Sequence, residues 1–321
     1  MIKGDDPGLF ALLLGDGRPA IALTGLLLML SGAFGLFLAA TTQFLPHDLE
    51  FLGLRPDDLC AIRDCRIVRF LVHDRMAFGG TLVAVGTLYV WLAAVPLSRG
   101  QAWAWWTAAL SGGIGFASFL SYLGTGYLDS WHGIATAGLL PIFLSGLVRT
   151  WPTLNRPRGL ASLRTPAVPF SLRERGWLGR ALLMLTAVGM VTAGLTIATI
   201  GALVVFVPQD LVFIGADRSD LEAINARLVP LIAHDRAGFG GGVASVGVAT
   251  LVIAWKATPS RSLWDALLIA GLAGFGCAVG THFIVGYLDA THLAPAILGA
   301  AVFAAAMALM PRDGPDPRPG T

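Results

Sequence analysis

Stretches of about twenty apolar residues recur along this chain, at roughly 20–43, 76–97, 103–124, 132–149, 178–205, 236–255, 264–285 and 291–310. Each is long enough to cross the hydrocarbon core of a bilayer, about 30 Å thick, as an α-helix. Backbone groups surrounded by lipid must be satisfied within a helix or a closed barrel, so such runs leave few folds open. Composition agrees: 55% of the 321 residues are apolar and only 13% charged, more apolar surface than a soluble domain buries. Forty glycines would weaken helices in water. In a membrane they let helices approach closely. The expected fold is an all-α integral membrane protein with about eight transmembrane helices.

The chain also repeats itself. FLPHDLEFLG (44–53), DLCAI (58–62) and HDRMAFGG (73–80) return as FVPQDLVFIG (206–215), DLEAI (220–224) and HDRAGFGG (234–241). GYLDSWH (126–132) returns as GYLDATH (286–292), and the offset stays near 160 throughout. The sequence therefore predicts two tandem four-helix units, 1–150 and 178–311, joined by a linker over 151–177 and followed by a disordered tail over 312–321. An even number of spans per unit gives both copies one orientation, which predicts a pseudo-two-fold axis along the membrane normal.

Orientation follows from Lys and Arg. With the N-terminus inside, 14 basic residues fall on the inner side and 8 on the outer. The expectation is a cytoplasmic membrane protein with both termini and the Pro- and Arg-rich linker in the cytoplasm. No cleavable signal peptide is evident, since the first nineteen residues are polar and mixed. The lipid bilayer is the one partner implied; no basic tract points to nucleic acid. Cys60 and Cys65 share the first outer loop. Five residues apart on a helix is poor disulfide geometry, which argues against a bridge. Cys277 reads as a small packing residue inside a span.

Chemistry is concentrated at the outer face. His73-Asp74-Arg75 is expected to open the second helix and His234-Asp235-Arg236 the sixth. Asp129 with His132, and Asp289 with His292, are expected to open the fourth and eighth. Asp and His three residues apart project from one helical face, and the pairing of imidazole with carboxylate suits a transition metal. His282 lies within the seventh helix and His47 near the first loop; their counterparts in the other copy are Tyr122 and Gln209. The candidate metal ligands are therefore His73, Asp129, His132, His234, His282, Asp289 and His292. The second-half set His234, His282, Asp289 and His292 looks the more complete. Haem between His73 and His132, or between His234 and His292, is the other cofactor considered.

A purely structural role explains the same residues. Asp74 and Asp235 at helix openings would accept from free backbone N–H groups. Arg75 and Arg236 would form ion pairs with Asp129 and Asp289, clamping helices within each unit. Short amphipathic helices over 57–70 and 219–232, with Leu59, Ile62, Phe70, Leu221, Ile224 and Leu231 turned to the bundle, would form a lid. Three function classes stay open: an outward-facing metal or haem protein of redox or electron-transfer type, a small-solute or proton transporter, and an assembly subunit without a site. Whether the chain is an enzyme is not legible. Nucleotide-loop, serine-hydrolase and zinc-protease motifs are absent.

Overall fold

The computed structural model describes residues 15–128, 130–168 and 174–312. Asp129, a predicted ligand, lies outside the described residues, as does nearly all of the predicted tail. All regular structure among them is helical. The long helices are α1 (Arg18–Ala40), α2 (Arg66–Ala94), α3 (Ala102–Ser118), α4 (Ser130–Thr150), α5 (Arg175–Leu203), α6 (Leu228–Lys256), α7 (Arg261–Val285) and α8 (Ala290–Leu309). Seven helices, all of these except α3, are long and apolar enough to cross a membrane.

The predicted span 103–124 is interrupted. Its α-helix ends at Ser118, continues as a 3-10 turn over Phe119–Ser121 and closes with one turn over Tyr122–Thr125. The Ser118 and Ser121 hydroxyls donate to the carbonyls of Gly115 and Ser118 at 2.7 and 2.5 Å. Hydroxyls bonding back to the preceding turn compete with the regular ladder.

The lid prediction is half right. Short helices do form at Pro56–Cys60 and Arg218–Ile224, and Leu59 and Leu221 are fully buried beneath them. Phe70 and Leu231 belong instead to α2 and α6, which begin earlier than expected. The apolar residues Ile67, Val68, Phe70 and Leu71 are all buried, so the helix extends without a break through them. Asp74 and Asp235 consequently lie about two turns inside their helices, about 10–12 Å from the first residue, and cap nothing.

Two helices form the centre. α2 and α6 bury 67% and 72% of their most apolar stretch, the other five candidate spans only 17–22%, so those five present most of their surface outward. Leu30, Phe34 and Phe37 on α1 and Leu272 on α7 are examples of that outward apolar face. α2 packs on α1, α6 and α7, while α6 packs on α5, α3 and α2. α7 thus lies against α2 and α3 against α6, so the two halves of the chain interlock. α4 closes on α1, and α8 on α5 and α7.

Close approach depends on glycine at particular positions. A β-carbon on Gly32 would stand 2.5 Å from the Gly79 carbonyl oxygen, and one on Gly194 would stand 2.6 Å from that of Gly240. Gly32→Ala is expected to force α1 from α2 and lower the thermal midpoint in detergent, at the cost of overpacking, about 1–3 kcal/mol. Gly35→Ala, where nothing lies within 4 Å, leaves it unchanged or slightly raised.

The cysteine expectation is corrected. Cys60 and Cys65 form a disulfide, because the chain between them is not a continuous helix. Arg63, Asp64 and Cys65 take left-handed conformations, φ 56, 52 and 64°, and turn the second sulfur back to the first. Cys277 packs where a β-carbon on Gly80 of α2 would meet its own Cβ at 2.5 Å. At the opposite end of the bundle the linker is docked. Trp106 and Trp255 donate from their indole nitrogens to the carbonyls of Arg158 and Leu163, 2.9 and 2.8 Å away.

Candidate metal centre

The packing of α7 on α2 and of α3 on α6 decides which histidines meet. His73 on α2 faces His282 on α7, with Nε2 to Nε2 at 3.1 Å. His292 on α8 completes the group: one ligand nitrogen from each of the three lies within 4.8 Å of the others, a spacing at which they could hold a metal ion. His73 and His282 are 5% and 4% exposed. Tyr287 stacks on His292 at 4.5 Å, and Phe70 stacks beyond His73.

Protonation of the first two rings is set by their other nitrogens. His73 Nδ1 is 2.9 Å from the Asp74 carboxylate, and His282 Nδ1 is 2.8 Å from the Tyr287 carbonyl oxygen. Both partners are acceptors, so each Nδ1 carries the proton and donates it. With one proton on each ring, each Nε2 presents a lone pair, and two lone pairs 3.1 Å apart repel unless a proton or a metal ion lies between them. The orientation of both rings by second partners is also how proteins fix metal-binding imidazoles.

His234 and His132 form a different pair. His234 Nε2 lies 3.3 Å from His132 Nδ1, and its own Nδ1 faces the Tyr127 carbonyl at 3.2 Å. An Nδ1–H on His132 can donate to His234, so this contact needs no ion. Tyr122 stacks on His234 at 3.7 Å, occupying the position that His282 holds in the other copy. His47 lies with its Nε2 3.6 Å from Asp48 and its ring 6.4 Å from that of His132.

Several predicted groupings are therefore redrawn. His73 meets His282 and His292 rather than His132, and His234 meets His132 rather than His292, with α7 packed on α2 and α3 on α6. The second-half set divides accordingly. Asp289 accepts from the His292 backbone N–H at 2.8 Å and the Thr291 hydroxyl at 2.6 Å, capping α8. Arg236 does not pair with Asp289. It bonds to Asp74 at 3.1 Å and Asp210 at 2.6 Å, and Arg75 bonds to Asp235 and Asp48, both at 2.9 Å.

These ion pairs are largely buried, held between the long helices α2 and α6 and the short helices that carry Asp48 and Asp210. Asp48, Asp74, Asp210 and Arg236 are each no more than 5% exposed. The phenols of Tyr127 and Tyr287 donate to Asp48 and Asp210 at 2.8 and 2.9 Å. Arg236 also lies over the Phe70 ring at 4.8 Å, and Arg75 over Phe44 at 5.1 Å. Beside the three histidines, the carboxylates of Asp74 and Asp210 share a single guanidinium, that of Arg236. Uncompensated buried charge is expensive, so this surroundings favours a cation.

Asp48, Asp210, Tyr127 and Tyr287 were not singled out as site residues from the sequence. The signal was present: Pro-x-Asp and Gly-Tyr-Leu-Asp occur at matched positions in both copies. Burial and the Asp210 carboxylate push the Tyr287 phenol above its ordinary value of about 10. The folded state therefore holds this proton more tightly than the unfolded chain, and the resulting stability is complete below about pH 10 and lost as pH rises beyond it. Thermal midpoints are expected to favour wild type over Tyr287→Phe at pH 8, by about 1 kcal/mol for the lost hydrogen bond. That advantage shrinks above pH 10.

Comparison with family models, with curated proteins and with solved structures found no match.

Proposed function

We propose that this chain is a membrane protein that binds a transition-metal ion through His73, His282 and His292. The observation that carries the reading is the 3.1 Å approach of the His73 and His282 Nε2 atoms, each ring's Nδ1 already facing an acceptor. Two imidazoles on a tetrahedral ion, each about 2.0–2.1 Å from it, stand about 3.3 Å apart. Trans ligands on a haem iron at similar bond lengths would stand about 4 Å apart, so a small ion suits the pair better than haem. Three protein ligands leave a coordination position for water or a substrate, the pattern of catalytic rather than purely structural centres. The redox or Lewis-acid chemistry of the centre depends on the ion it selects.

The same reading includes eight spans, with α3 and its broken extension as the third, and a pseudo-two-fold axis along the membrane normal. Reciprocal pairs support it: Arg75 with Asp235, Arg236 with Asp74, and the Tyr127–Asp48 and Tyr287–Asp210 bonds. By the distribution of Lys and Arg, the histidines face outward and the linker faces the cytoplasm. The other occupant compatible with the short contact is a shared proton. Retention of Zn2+ after desalting separates the two. Wild type and His132→Ala are expected to keep one equivalent and a His73→Ala/His292→Ala variant none; a wild type that keeps none supports the proton.

A further inference from the structure

Between α7 and α8 runs a groove of about 550 Å3, within the range of small-molecule sites and lined almost wholly by apolar side chains, among them Leu268, Phe275, Val279, Ala300, Phe303 and Ala304. It lies on the outward face that the spans present to lipid. Its position relative to the histidines follows from helical spacing. Gly271 and Phe275 precede His282 by eleven and seven residues, and Phe303 follows His292 by eleven. Those separations return to one helical face. The α7 stripe therefore runs on towards His282, and on α8 Phe303 shares the face of His292. Val279, on its wall, is one turn from His282, a rise of about 4.5 Å.

The other copy handles the corresponding place differently. Trp105 and Trp264, at matched positions, both donate to a backbone carbonyl of the following helix, Leu147 and Met307, at 2.8 and 3.1 Å. Phe143, the counterpart of Phe303, is only 2% exposed and packs against Phe116 and Tyr89. Phe303 stays half-buried on the groove wall. The open wall thus accompanies the three-histidine group, and the closed packing accompanies the pair in which Tyr122 replaces the third histidine.

We propose that the groove seats the tail of a single-chain bilayer amphiphile whose oxygen-bearing head takes the open position on the ion, a proposal that rests on the metal reading above. From Leu268 to Val279 the wall rises about 16 Å, the reach of an extended chain of about a dozen carbons. Because lipid is as apolar as the groove, the tail contributes orientation more than affinity. Coordination by the head supplies selectivity.

The test uses the full chain in lipid nanodiscs loaded with Co2+, with a sixteen-carbon hydroxamic acid carrying a diazirine near its tail end. Photolabel is expected to concentrate on the α7 and α8 groove residues, with severalfold loss in Ala304→Phe. Acetohydroxamate should shift the Co2+ spectrum of both proteins equally, which also reports that the variant folds. Label spread over α1 and α5 in proportion to their exposure, or unchanged by Ala304→Phe, overturns the groove while a Co2+ shift preserves the metal reading. Groove labelling by a protein that binds no Co2+ overturns the link from head to ion, together with the metal reading.

Discussion

Replacing His282 with tyrosine is expected to abolish metal retention while leaving the fold intact. Tyr122, at the matching position of the other copy, already shows that the fold accepts a phenol there, stacked 3.7 Å from His234. His282→Tyr removes one of the two facing lone pairs and leaves His73 and His292 as a two-ligand remnant. Loss of an outer partner of a metal ligand costs about 10–100-fold in affinity, and loss of a ligand should exceed that range. His132→Ala, which touches only the pair that hydrogen bonds without an ion, leaves affinity unchanged. Competition with a coloured chelator measures both. Equal losses in the two variants would mean that the ion, if bound, lies elsewhere.

Arg236→Met is expected to be the most destabilising single change in the bundle. It leaves the carboxylates of Asp74 and Asp210, 3% and 0% exposed, without their guanidinium. Breaking a buried pair in this way costs about 3–5 kcal/mol, chiefly through the charge left behind. Adding Asp210→Asn to Arg236→Met should recover part of the loss, because the remaining group is then neutral. Arg218→Ala is the control. Its ion pair with Glu222 is half-exposed on both sides, so removal should change stability by no more than about 0.5 kcal/mol. Denaturant titration in mixed micelles gives the ranking; similar effects for Arg236 and Arg218 would contradict the network's role in stability.

What the sequence revealed and what it hid have separate physical causes. Helical period and run length are local properties, so the membrane character and most spans were legible from residues alone. α3 was the exception, since the serine hydroxyls that divert its ladder act over one turn and leave its hydropathy unchanged. The matching sequence motifs, HDR and GYLDxxH, singled out candidate residues but not their partners. Partner choice depends on which helices lie side by side, and nothing local in His73 says that α7 rather than α4 will face it. Asp48 and Asp210 were obscured in another way. Each follows a proline at the start of a short helix, where an aspartate reads as a cap. Each does bond to a capped backbone N–H, that of Leu45 or Val207, while also holding an arginine of a long helix. The disulfide was discounted because a helix was assumed where Arg63, Asp64 and Cys65 turn left-handed.

X-ray absorption at the metal edge of the purified protein, after one equivalent of Zn2+ or Co2+ is offered, bears most directly on the central claim. One ion per chain with three imidazole neighbours at about 2.0–2.1 Å, lost in His73→Ala, is the predicted result. An ion surrounded only by water or carboxylate oxygens, or no retained ion at all, would contradict the His73–His282–His292 centre.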